Sequence, residues 1–174
     1  MSETTALRPV DVAVAVRLAQ SPGATFESLS ADLLMSTSTA HGAVKRLEAA
    51  HLAVPGSRRI NRLALREFLV HGVRYAFPAI VGGQAQGVPT AHSAPPLSAR
   101  IVATDPVVWP ARKGTLRGAS LTPLLARAAE LPDHCPQLYE ALALVDALRI
   151  GRAREREMAA AELEKHLSPQ VVVA

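Results

Sequence analysis

The chain has 174 residues and a net charge of +4, room for one medium domain or for a small domain with an extension. Apolar residues make up 49% of it and aromatics only 3%, so the core has to be built from Ala, Val and Leu, which favours packed helices over a sandwich. The single cysteine, Cys135, excludes an internal disulfide and argues against a cysteine-based zinc site. No apolar run approaches the roughly 18 residues of a membrane span, and Met1 to Thr5 lack a basic-then-apolar leader. The expectation is a cytoplasmic protein with no membrane partner.

A first helix is predicted to begin near Pro9, a residue favoured at the first helical position, and to stop at Ser21-Pro22-Gly23. Its Val10, Val12, Val14, Val16 and Leu18 also alternate as a strand would; the alanines and the stop signals favour helix. Thr25 is a candidate N-cap for a second helix with Phe26, Leu29 and Leu33 on one face. A break falls at Leu34-Met35, and Ser36 caps a third helix with Ala40, Val44 and Leu47 on one side and Ser38, His41, Gly42 and Lys45 on the other. Two short amphipathic helices around a three-residue turn form a helix-turn-helix pattern.

Leu52-Ala53-Val54 reads as a short strand, Pro55-Gly56 as a turn, and Asn61 as the cap of a helix ending at Gly72. Val73 to Phe77 alternates like a strand. From Pro78 to Ser120, six prolines and five glycines interrupt any period, and the expectation is irregular structure laid over the rest. Helices are predicted over Leu121–Leu131, Gln137–Ile150 and Arg152–His166, with a single helix through Gly151 as the alternative for the last two.

The stretch from Leu33 to Leu52, with Ser36, Ser38-Thr39, His41 and Lys45-Arg46-Leu47-Glu48 leading into Leu52, resembles the turn and recognition helix of MarR-like and IclR-like regulators. That resemblance covers about 70 residues and implies a winged helix-turn-helix homodimer on operator DNA. At two positions where those families carry glycine this chain has Leu34 and His51; glycine serves there because it tolerates a positive φ. The implied architecture is mainly α with a small β component: a winged helix-turn-helix over 7–77, an irregular Pro/Gly-rich segment over 78–120, and a helical region over 121–168 for dimerisation or partner binding.

Local charge fits such a role. Between His41 and Tyr75 seven basic residues face two acidic ones, whereas Leu121 to Ala174 holds six basic and eight acidic residues. A helix N-terminus offers free amides and a positive dipole end to phosphate; Ser36, Thr37, Ser38 and Thr39 add hydroxyls there. His41 and Lys45, one turn apart, can reach base edges in the major groove, and Gly42 permits close approach. Arg46, Arg58, Arg59 and Arg62 suit phosphate, which positions without specifying sequence. His41 reads equally as a solvated surface residue, and Arg58-Arg59 as a solvated turn. Leu138, Leu142, Val145 and Leu148, with Met158, Leu163 and Leu167, offer apolar stripes for a homodimer.

Other candidates carry less. His134-Cys135 has no third catalytic group nearby, no metal spacing or cofactor motif is visible among the six histidines, and no convergent nucleophile and base appear, so no enzymatic activity is expected. The run Arg149, Arg152, Arg154, Arg156 reads as a solvated helix face, and Trp109 as a core or interface anchor in preference to a pocket wall. The main alternative function is an antitoxin or adaptor that holds a partner protein through residues 78–168, with or without DNA binding.

Overall fold

Helix α1 (Pro9–Gln20) is buried on nearly every side: Val12, Ala13, Val14, Ala15, Val16, Leu18 and Ala19 are at most 2% exposed. This explains the ambiguous valine alternation, since a helix enclosed all round has no polar face to impose a 3.6-residue period. The computed structural model describes residues 5–102 and 104–168; residues 1–4, read above as lacking a leader, lie outside them. The described part is mainly α with a small β component. None of its helices is long and apolar enough to cross a membrane.

Helix α2 (Phe26–Asp32) starts where the Thr25 side chain accepts from the Ser28 amide, and α3 (Thr37–Ala49) where Ser36 accepts from Thr39. Each cap satisfies one of the amides a helix start leaves without a partner. Between α2 and α3, Leu34 sits at φ 54°, and after α3 His51 sits at φ 59°. These are the two positions where glycine would be expected, and both residues carry the left-handed conformation without it. Strands β1 (Ala53–Val54) and β2 (Arg59–Ile60) form a minimal antiparallel hairpin, pairing Ala53 with Ile60 and Val54 with Arg59.

Asn61 caps α4 (Arg62–Glu67) by accepting from Ala64. The chain continues through a π-type turn at Phe68–Gly72 into α5 (Val73–Ala76). The strand expected over Val73 to Phe77 is therefore helical: Val73 is buried and Tyr75 faces solvent at 74% exposure, so tertiary packing overrides a five-residue alternation.

The irregular structure expected over 78–120 is also corrected. Strands β3 (Val81–Pro89), β4 (Val107–Pro110) and β5 (Leu116–Leu121) close into a small barrel, with β3 antiparallel to both others and β4 parallel to β5. The glycines that hid it are what permit it. A Cβ on Gly87 would collide with the Trp109 carbonyl, and one on Gly118 with that of Pro106, so the strands cross too closely for side chains.

The helix expected over Leu121–Leu131 is absent; Leu121 ends β5, and only a 3₁₀ turn at Ala128–Glu130 and the single-turn α6 (Leu131–His134) follow. Helices α7 (Pro136–Ile150) and α8 (Ala153–Leu167) are separate, broken at Gly151, where a Cβ would strike the Ala147 carbonyl. Helix α7 packs on α1, α5 and α8. Leu138, Leu142, Val145 and Leu148 are at most 2% exposed, and Leu163 and Leu167 are also buried. The stripe assigned above to a homodimer is thus the chain's own core, each enclosed leucine contributing about 1.5–3 kcal/mol.

Candidate functional site

The outer side of α3 is the feature to which the sequence assigned function. Ala40, Ala43, Val44 and Leu47 are buried against the protein, while Ser36, Thr37, Ser38, Thr39, His41 and Lys45 are exposed. At its N-terminal end the Ser36 and Thr39 hydroxyls lie 2.8 Å apart. One turn on, the His41 ring stacks on Phe26, centroids 3.5 Å apart and planes 19° apart. The Arg58 guanidinium lies 4.9 Å from the same Phe26 centroid, within cation–π range. Phe26, the first residue of α2, therefore joins the outer side of α3 to the turn of the β1–β2 hairpin.

Glu48 ties the same two elements from the other direction. Its carboxylate accepts from the Gly56 amide at 2.9 Å and from the Lys45 ammonium at 3.1 Å. Burial pushes that carboxyl upward, but the Gly56 amide and Lys45 together outweigh it and hold Glu48 below its ordinary range. Lys45 keeps 67% of its side chain exposed, so this exposed pair restrains it weakly.

The basic residues of this region separate once their partners are known. Arg46 points inward: its guanidinium makes two bonds to Asp11, a fully buried carboxylate on α1. The Asp11 hydrogen bonds raise Arg46 above its ordinary range, outweighing burial. Asp11 also accepts from the Arg8 amide at 2.8 Å, so it caps α1 and anchors α3 together. Gly42 leaves the room this requires, since a Cβ there would lie 3.2 Å from Arg46 Nη1. Arg62 donates to the carbonyls of Ala19 and Leu167, clamping α4 to the ends of α1 and α8. Arg58 donates to the Ala24 carbonyl at 3.1 Å and has a positive φ of 51°. Arg59 is exposed, and its side chain has no hydrogen-bond or ion-pair partner among the described residues.

Sequence reasoning passed over Asp11 and Asp146, and it gave Phe26 and Glu48 no role at this surface beyond a helix face and a motif position. An acid inside a valine-rich helix, as at Asp11, is the one signal that could have marked an internal partner for an arginine. Asp146 accepts from Thr90 at 2.8 Å, Trp109 Nε1 at 2.7 Å and Arg149 at 2.8 Å, all buried. Arg149 further donates to the Phe77 carbonyl. It is thus an interior clamp between α7, the barrel and the chain after α5, and not part of a solvated basic run. His134 bonds the Ala31 carbonyl at 2.8 Å and Cys135 is buried, so the pair points to separate structural tasks. Among the described residues no three His, Cys, Asp or Glu side chains group as metal ligands. Compared with protein-family models, with curated proteins and with solved structures, the chain matches none of them.

Proposed function

We propose that the chain is a sequence-specific regulator of transcription that binds double-stranded DNA, with α2, its turn and α3 acting as a helix-turn-helix and the β1–β2 hairpin as a two-residue wing. One observation carries the reading: the hydroxyl-, histidine- and lysine-bearing side of α3 is open to solvent while its opposite side is fixed in the core. A helix of this width enters the major groove, where Lys45 and His41 are in position to meet base edges. The α3 N-terminus, with Ser36 to Thr39, faces phosphate. Of the four arginines, Arg59 has no side-chain partner among the described residues and is the phosphate ligand; Arg46 is turned inward by Asp11, while Arg58 and Arg62 are held by backbone carbonyls at the surface. Each chain supplies one reading helix. Two chains on a palindromic operator would stand about 34 Å apart and meet through a surface other than the buried Leu138–Leu148 stripe. Such a regulator works in the cytoplasm.

Selection of bound sequences from a random duplex pool, followed by anisotropy titration, tests this. Lys45→Ala or His41→Ala is expected to raise Kd on the selected site by about 5- to 150-fold, and Arg59→Ala to weaken all sequences alike while lowering the salt slope by about one. No enriched sequence, with both classes of variant binding duplex as wild type does, overturns the proposal.

A second reading, that a partner protein is held through the region beginning at residue 78, is favoured by Ile80 and Val81 at its start and by Tyr75 just before it. Tyr75, Ile80 and Val81 are exposed to 74%, 69% and 53% within seven residues of chain, and a run of exposed apolar side chains marks an interaction surface. A partner copurified from the native host that survives Ile80→Asp and Val81→Asp would count against this surface.

A further inference from the structure

Next to the α2–α3 turn lies a cleft of about 810 Å³, within the size range of sites for small organic molecules. Val88 and Pro89 of β3, with Pro95, Pro132 and Tyr139, give it an apolar lining. Tyr139 is fixed there by its hydroxyl, which donates to the Pro89 carbonyl at 2.9 Å. Leu34, the positive-φ residue of the α2–α3 turn, also lines the cleft, and so does His134, whose ring bonds the Ala31 carbonyl of α2.

The charged groups of the lining do not cancel. Arg112 and Lys113, in the loop between β4 and β5, are exposed and form no hydrogen bond or ion pair with any described residue. From α6 and the turn before it come Glu130 and Asp133. Glu130 is already neutralised, since Arg127 grips both of its oxygens at 2.7 and 2.6 Å and holds the carboxyl below its ordinary range. Asp133 is the one carboxylate of the lining with no partner among the described residues. Two free cations against one free carboxylate leave an apolar basin with unmet positive charge at its rim.

We propose that this cleft binds a small organic anion, a carboxylate or sulfonate on a flat apolar body. The charge sits on Arg112 and Lys113, whose guanidinium and ammonium suit such a group, and the body lies on Val88, Pro89, Pro132 and Tyr139. An occupant touches the turn that sets α3 against α2, so it shifts the affinity of α3 for DNA. That coupling rests on the function proposed above; the binding itself does not.

The probe is 8-anilino-1-naphthalenesulfonate titrated into the full chain and read by fluorescence. Expected are saturable one-to-one binding, a Kd about tenfold or more weaker in Arg112→Ala/Lys113→Ala, and a tighter one in Asp133→Asn. The melting temperature of the double variant is expected to be unchanged, because neither side chain has an internal partner. The cationic dye thioflavin T is expected not to compete. Absence of saturable binding, an unchanged Kd in the double variant, or equal binding of the cationic dye overturns the site. On the duplex selected by the wild type, saturating probe is expected to shift DNA affinity about fivefold or more in wild type and not in the double variant. Probe binding without any DNA binding sinks the regulator reading and leaves the site standing; DNA binding without probe binding does the reverse.

Discussion

Arg46 and Asp11 meet through two parallel bonds, Nε to Oδ2 at 2.8 Å and Nη2 to Oδ1 at 2.7 Å, across a separation of 35 residues. The pair locks the third helix onto the first and fixes the angle at which the outer side of α3 is presented. Removing one partner leaves the other charge buried alone, which costs about 3–5 kcal/mol. Arg46→Ala is therefore expected to lower stability in urea titration by that amount, and Asp11→Ala to behave alike. A variant at Arg46 that kept wild-type stability but lost duplex affinity would return this arginine to the phosphate contacts.

The buried Asp146 cluster makes a second prediction with its own reporter. Trp109 is the only tryptophan of the chain, and its indole N–H donates to Asp146. Asp146→Ala leaves that N–H, the Thr90 hydroxyl and the Arg149 guanidinium without their acceptor, at a cost of about 3–5 kcal/mol. Thr90→Val removes one neutral donor and is expected to cost about 1 kcal/mol. Unfolding followed by Trp109 emission measures both. Equal losses in the two variants would show that the cluster is not organised around the carboxylate.

Tyr139 sets an alkaline limit. Burial, with a smaller contribution from Glu140, pushes its phenol up to about 12 from the ordinary 10. A group that holds its proton more tightly when folded stabilises the protein fully below its unfolded pKa and loses that contribution as pH rises through the folded value. Stability is therefore expected to fall between pH 10 and 12, and this fall to be absent in Tyr139→Phe. The difference in phenolate absorbance at 295 nm between wild type and Tyr139→Phe follows this ionisation, because the chain's other tyrosine, Tyr75, contributes to both.

His51 is exposed and holds φ 59°. A non-glycine residue in the left-handed region costs about 1–2 kcal/mol, and glycine recovers part of this after its own entropy cost. His51→Gly is expected to gain about 0.5–1 kcal/mol in thermal unfolding and His51→Val to lose stability, because a β-branched residue tolerates that region worst.

What the sequence made legible is what neighbouring residues decide. Thr25, Ser36 and Asn61 each accept from an amide three positions on, so those caps are local events. The buried side of α3 follows from its own period, and the requirement for positive φ at Leu34 and His51 follows from the turn that the resemblance implied. The barrel was hidden because its crossing strands need glycine where a pattern search expects alternating side chains.

The fate of the charges was decided only in three dimensions. Read along the chain, Arg46, Arg58, Arg59 and Arg62 are four equivalent cations. Folding gives Arg46 a carboxylate 35 residues away and Arg62 carbonyls 43 and 105 residues away, rests Arg58 on Phe26, and leaves Arg59 in solvent. The same holds for the leucines of α7, which suit a dimer seam as well as a core until α1, α5 and α8 close over them. Residue type states what a side chain can bind, but which partner it meets depends on contacts distant in sequence, and no local pattern encodes them.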